Sequence, residues 1–378
     1  MLWRSYLPYS IDRLSDLIGR EDALGIEAIG LQVTATDPSY AFLGGAQRAG
    51  VRLETCCPHA RFDELDVTDV RTGVWAALDR LDPVAVFAPA TPFAEGMAAI
   101  TWALRHRRHV VLMDDAWEAT DARGPMVNRV KTLIHECIDG VLVPHEVYQS
   151  YWVRLGVARE RVISGVDVLD NRRFARPERQ AARTPSFLFV GRDLPRKGLD
   201  VLLDAYGRYR ERSGTSPWAL TVVGPVAVRQ ADGVRFTGPL TGAALCEEYW
   251  SAGALVVPSD FEQWGLVLNE AMSAGLPVLA TTTVGSSRVL VTDGVTGWLT
   301  PPGDSGAMAR RLDEIASLTE ATRSRIGRAA VEAVNHHCPL SAFAAGIASA
   351  LALPPRRPPS LAARLAATGW RGRTRLLG

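Results

Sequence analysis

Lysine is almost missing from this chain of 378 residues, which has it only at positions 131 and 197 and carries its other forty basic charges as arginine. No Gly-x-Gly-x-x-Gly opens either half, which argues against a dinucleotide oxidoreductase. No Cys-x-x-Cys pair occurs among the five cysteines (56, 57, 137, 246 and 338), so neither a zinc site nor a redox pair is expected, and reduced thiols are the simpler reading. No long apolar run is present. The best stretch, residues 339–355, has 17 residues, is rich in alanine and glycine, and is too short and too weakly apolar to span a bilayer. Arg4, Asp12 and Arg13 interrupt the N-terminal segment, so no secretory h-region is expected and the reading is cytoplasmic. The net charge of +1 gives no reason to expect a nucleic acid as partner.

What is present is ordinary globular composition, 47% hydrophobic and 22% charged, long enough for two domains. Short apolar runs alternate with helical periodicity, the mark of parallel α/β units. Strands are predicted at 28–33, 84–88, 110–113 and 140–143, with helices over about 93–105 and 127–138. A polar, charged stretch at 172–183 follows, and then a second series with strands at 187–190, 219–223, 254–257 and 277–280. The expected division is a first Rossmann-like domain over 1–174, a linker over 175–184, and a second over 185–338. A C-terminal helix and basic tail over 339–378 then crosses back to the first domain. From residue 354 onward there are six arginines (356, 357, 364, 371, 373 and 375) and no acid, which leaves the rest of the chain at a net −5. That composition reads as a solvated terminus. Its alternative is a weak peripheral contact with anionic lipid or with an anionic substrate.

Two stretches carry the chemistry. Gly191-Arg192-Asp193-Leu194-Pro195-Arg196-Lys197-Gly198 lies between a predicted strand and an amphipathic helix. A glycine-bearing strand–turn–helix gathers backbone N–H groups at a helix N-terminus, a ready anion site, and Arg192 and Lys197 add cations beside it. The second stretch runs from Pro258 through Glu262 and Gly265 to Glu270, where a helix is expected from about Gly265 to Gly275. The N–H groups of Gly265, Leu266 and Val267 again offer a helix N-terminus. Glu270 lies eight residues after Glu262, about 12 Å along a helix, so the two carboxylates read as contacts to different parts of one extended ligand.

These residues resemble the donor site of retaining glycosyltransferases of family 4. That family has Gly-Arg…Lys-Gly after the first strand of its C-terminal domain. It then has Glu-x7-Glu leading into Ala-Met-Ala-x-Gly-x-Pro-Val, here Ala271-Met272-Ser273-Ala274-Gly275-Leu276-Pro277-Val278. Asp293-Gly294-Val295-Thr296-Gly297 and Pro301-Pro302-Gly303-Asp304 resemble the next family segment, and Gly165-Val166-Asp167 the end of its N-terminal domain. The resemblance implies the α/β GT-B fold, two facing Rossmann-like domains with a cleft between them. It implies a hexosyltransferase that uses a nucleotide-sugar donor and a hydroxyl acceptor, with retention of anomeric configuration. Gly191, Arg192 and Lys197 would then hold the diphosphate, Glu262 would face the transferred sugar, Gly265, Leu266 and Val267 would touch sugar or phosphate, and Glu270 would bind the ribose. Catalysis falls to Arg192, Lys197 and Glu262, with Asp115 standing where many members carry a histidine near the sugar. No Asp-x-Asp flanks these sites, so no metal and no other cofactor is expected.

Some positions depart from the pattern. Ser5 to Ser10 replace a fuller strand and a Gly-rich or His-bearing loop, and residues 284–289 lack an acid that some members have. A nucleotide-sugar epimerase on the same frame and a non-catalytic nucleotide-binding protein are the alternatives.

Overall fold

The computed structural model describes residues 1–38, 48–121, 124–178, 182–214 and 216–374. The chain forms two compact units, Met1–Leu169 together with Leu340–Gly378, and Asp170–Pro339.

The first unit carries two parallel sheets. Strands β1 (Leu2–Trp3), β2 (Gly30–Gln32) and β3 (Leu53–Thr55) pair in that order. Strands β4 (Ala85–Pro89), β5 (His109–Met113), β6 (Gly140–Val143) and β7 (Val162–Ser164) form the other, and β1 lies beside β4. All four apolar runs expected in this half become strands. Strands β1, β3 and β7, of two or three residues, are too short to leave a sequence pattern. Val110, Leu112, Val141 and Leu142 are fully buried, as parallel strands covered on both faces must be.

The C-terminal tail is not a solvated terminus within the described residues. The helix Leu361–Gly369 lies against Pro125–His135 and Ala94–His106. Trp370 Nε1 donates to the Thr91 carbonyl at 2.9 Å, and Arg373 N donates to the Pro92 carbonyl at 3.0 Å. Arg356 pairs at 2.5 Å with Asp139, a carboxylate whose side chain is 2% exposed. Arg375 lies outside the described residues. Lys131, one of the two lysines, is buried within the first unit.

The second unit is one six-stranded parallel sheet, made of β8 (Ser186–Val190), β9 (Ala219–Val223), β10 (Val234–Gly238), β11 (Ala254–Val257), β12 (Val278–Thr281) and β13 (Gly297–Thr300). Its order is β10-β9-β8-β11-β12-β13. The chain thus winds outward from β8 in one direction and from β11 in the other, so the strand order reverses between β8 and β11. Phe187, Phe189, Tyr206, Tyr209, Trp218 and Trp298 fill the core beneath the helices Leu199–Arg212 and Ser305–Ser317. The segment expected as a linker is partly docked on this unit. Arg183 donates to the carbonyls of Tyr249, Ala252 and Ala274, and the Phe174 carbonyl accepts from Trp250 Nε1. Residues 179–181 lie outside the described residues. The helix Glu320–His337 ends at Cys338, whose N–H reaches the Val334 carbonyl, so His336 and His337 stand in its last turn.

Candidate functional site

In open parallel sheets ligands bind beyond the carboxyl ends of the strands where the order reverses. In the second unit that point lies between β8 and β11. The two loops leaving these strands there are Gly191–Gly198 and Pro258–Gly265, the same two that the sequence singles out.

The loops touch through backbone. Gly198 has φ +68, and a Cβ there would stand 2.1 Å from the Pro258 carbonyl oxygen. Only glycine tolerates both the left-handed conformation and that approach. Asp260 N donates to the Arg196 carbonyl at 2.8 Å. Gly265, with φ +95, turns the second loop into the helix Leu266–Ser273. Leu266 and Val267 are half-buried in its first turn, whose N–H groups have no intrahelical acceptor. Gly191 N donates to the Val223 carbonyl at 2.9 Å, which fixes the start of the first loop against β9.

This joining brings Lys197 Nζ to 2.5 Å from Glu262 Oε1. Arg196 Nη1 lies 3.2 Å from Glu262 Oε2, and Ser259 Oγ donates to Oε1 at 3.0 Å. Glu262 is buried, and its backbone is stitched to the loop after β12 through Thr283 O and Gly285 N. Burial lowers the Lys197 ammonium's pKa, while the adjacent Glu262 opposes the shift. Arg192, half-buried, stands close enough that its charge also disfavours the ammonium. Two cations therefore pair with one carboxylate and a third lies near Lys197, leaving a net positive charge beside a helix N-terminus, which suits an anion of more than one negative charge.

Glu270 sits away from that cluster. Its Oε2 accepts from the Tyr249 hydroxyl at 2.6 Å. Burial raises its pKa to about 7, against opposing contributions from the Tyr249 hydrogen bond and the Arg173 charge. The two glutamates thus have separate partners and form no proton-sharing dyad.

Asp115 belongs to the first unit. It follows β5 beside Asp114, Asp167 and Arg13, where burial and then the neighbouring carboxylates push its pKa well above the usual carboxylate range. Asp167 is held by buried Arg13 at 3.2 Å. Within the second unit, Gly191, Arg192, Lys197, Glu262, Gly265, Leu266, Val267 and Glu270 all lie on elements around the reversal point. The sequence reading missed three contributors. Arg196 stood inside the first motif and was passed over as a neighbour of Lys197. Ser259 and Tyr249 act through contacts that no local pattern announces. Among the described residues no group of three or more His, Cys, Asp or Glu side chains is placed to hold a metal ion.

Residues 184–318 match the family model described as glycosyl transferases group 1. The chain is 38% identical over 161 residues to the D-inositol 3-phosphate glycosyltransferase of Streptomyces avermitilis, covering 38% of this chain and 34% of that protein. It is 42% identical over 99 residues to the sulfoquinovosyl transferase of Arabidopsis thaliana, covering 26% of this chain and 19% of that protein. The chain thus spans about a third of the first of these relatives, 34% of its length. In fold it is similar to Anabaena HepE, solved with UDP and glucose, at a TM-score of 0.72 and 16% identity over 93% of this chain and 98% of that one. Sucrose-phosphate synthase from Thermosynechococcus elongatus matches at a TM-score of 0.67 and 19% identity, over 88% of this chain and 90% of that one. The fold of the chain is therefore GT-B, and its residues 184–318 are similar to glycosyl transferases of group 1.

Proposed function

We propose that this chain is a glycosyltransferase that moves a sugar from a nucleoside-diphosphate sugar to an acceptor hydroxyl. The observation that carries the proposal is the pairing of Arg196 and Lys197 with Glu262, with Arg192 near Lys197, at the strand-order reversal of the second unit. Breaking the anomeric C–O bond sends its electron pair to the outer phosphate oxygen of the leaving diphosphate. The charge on that oxygen grows from ground state to transition state, so cations fixed beside it favour the transition state selectively. Lys197 has three N–H donors, enough to keep its contact with Glu262 while turning another toward phosphate. Glu262, held from two sides, is then the carboxylate nearest the transferred sugar, and Glu270 with Tyr249 takes the ribose hydroxyls.

The resemblance to family 4 favours retention by front-face attack. The acceptor oxygen bonds to the anomeric carbon on the face the phosphate leaves, and its proton passes to the departing phosphate oxygen. No separate base is needed, and the three cations do the charge neutralisation that a metal would otherwise supply. The relatives named for D-inositol 3-phosphate make cyclitol phosphates the first acceptors to try.

The test is release of nucleoside diphosphate by the purified full chain from a panel of UDP-, GDP- and ADP-sugars, with and without hydroxyl acceptors. Release from at least one donor, accelerated by an acceptor and unchanged by EDTA, is expected. Conversion of a donor to its epimer without release would establish the epimerase instead. Nucleotide binding without turnover of any donor would leave a binding protein.

A further inference from the structure

Seven large hydrophobic side chains are markedly exposed among the described residues, and three of them lie on two helices that pack together in the first unit. Leu361 and Leu365, 74% and 63% exposed, stand four apart on the tail helix Leu361–Gly369, and so on one face. Met126, 81% exposed, opens the helix Pro125–His135 beside it. The others, Val84, Val153, Val228 and Val295, are isolated valines from separate segments.

The tail helix has two apolar stripes where one would suffice. Ala363, Ala367 and Trp370 recur at the helical period and face inward, and Trp370 is tied to Thr91. That stripe accounts for the docking of the helix on its own unit. Leu361 and Leu365 contribute nothing to it, and exposed leucines raise the cost of hydration without a return in packing.

Charge surrounds the outer stripe. Arg364 lies between the two leucines, Arg357 precedes the helix, Arg371 follows it, and Arg129 lies one turn from Met126; all four are exposed. The structure divides the tail's arginines by use. Arg356 is consumed by buried Asp139, and Arg373 is fastened through its backbone beside Phe93. Among the described residues Arg129, Arg357, Arg364 and Arg371 have no carboxylate within ion-pair distance, in contrast to Arg356. Glu136, just after the helix Pro125–His135, accepts from Ser360 N at 3.0 Å. Leucine and methionine flanked by unpaired arginines, on a helix already anchored by its other side, form the pattern of an interfacial element lying in the plane of a bilayer.

We propose that the outer face of the tail helix, Leu361, Arg364 and Leu365 with Arg357, Arg371 and neighbouring Met126 and Arg129, docks on an anionic lipid surface. The leucines and the methionine enter the headgroup boundary, and the arginines meet lipid phosphates. The proposal is independent of the reaction catalysed by the second unit.

Flotation of the full chain with vesicles of phosphatidylcholine alone, or with about a third phosphatidylglycerol, tests it. Binding to the anionic vesicles, weak binding to the neutral ones, and release at high salt are expected. Leu361→Ser with Leu365→Ser should weaken partition at least tenfold, and Arg364→Glu at least fivefold. Val228→Ser, on the second unit and 82% exposed, should change nothing. These positions are exposed, so circular dichroism and the unfolding midpoint should stay as in the parent chain. Absence of binding to anionic vesicles overturns the proposal, and so does equal binding by the double leucine variant. A concentration-dependent dimer that the double variant abolishes, with no lipid binding, would overturn it in favour of a second copy of this chain as the occupant.

Discussion

Lys197 and Glu262, which are 65 positions apart in the chain, meet at 2.5 Å because the loops after β8 and β11 are adjacent only at the reversal of the strand order. The contact opposes the burial that lowers the ammonium's pKa. Replacing Lys197 with alanine removes the compact cation from the proposed diphosphate site but leaves Glu262 its Arg196 and Ser259 partners. Turnover measured as nucleoside diphosphate release should fall on the order of 100-fold. The fold should survive, as judged by circular dichroism. Wild-type turnover in that variant would sink the assignment of Lys197 to the leaving group.

Gly198 controls the same junction through its backbone. In Gly198→Ala the residue keeps φ near +68 only with strain of about 1–2 kcal/mol, and its new methyl group collides with the Pro258 carbonyl. The loops must part, which separates Lys197 from Glu262. A loss of at least about 2 kcal/mol in denaturant unfolding is expected, together with a turnover defect. Gly294→Ala is the matched control. It also has a positive φ, +72, but open space around the would-be Cβ, so it should cost strain alone and leave turnover intact.

The pH dependence of stability should carry the mark of Glu270. In the folded chain this carboxyl holds its proton up to about pH 7, against 4.5 for the ordinary side chain. Between those values the folded state binds more protons than the unfolded one. The stability it contributes is complete below about pH 4.5 and is lost as pH rises through about 7. Comparison of urea midpoints at pH 5 and pH 8 should show the stability of Glu270→Gln relative to the parent rising by about 2 kcal/mol from the lower pH to the higher. If ribose hydroxyls donate to the ionised carboxylate, nucleoside diphosphate affinity should also rise from pH 6 to pH 8 in the parent and stay flat in the variant. Parallel pH profiles for the two chains would remove Glu270 from both roles.

The donor-side loops were legible in the sequence for a physical reason. A turn that needs a positive φ and close backbone approach must be glycine, and in a chain with two lysines a Lys-Gly turn stands out. The strands were legible wherever they were buried on both faces, as in β4 to β6 and β8, because such runs are continuously apolar. What failed to show was everything fixed by distant partners. Tyr249 reaches Glu270 from another helix, and a tyrosine in an amphipathic helix looks like core. Lys131 sits in a polar-looking helix yet is 1% exposed. The tail reads as solvated because composition counts its arginines, whereas the structure pairs one of them with an acid 217 positions earlier.

That acid, Asp139, makes the docking of the tail measurable. Its Oδ2 accepts from Val110 N at 2.9 Å and from Arg356 Nη1 at 2.5 Å, and its Oδ1 accepts from Arg356 N at 3.2 Å. Removing the guanidinium leaves an almost wholly buried carboxylate with its backbone donors and, at 3.8 Å, His109 Nδ1. Loss of one partner from such a pair costs about 3–5 kcal/mol. Arg356→Ala should therefore loosen the tail and destabilise the first unit by an amount of that order, and Arg356→Lys should recover part of it. Amide exchange on the helix Leu361–Gly369 reports the effect directly. A docked helix exchanges slowly in the parent chain and at least tenfold faster in Arg356→Ala, with the helix Leu266–Ser273 of the second unit unchanged. Fast exchange along Leu361–Gly369 in the parent would mean that the inner alanine stripe and the Asp139 pair do not hold the tail.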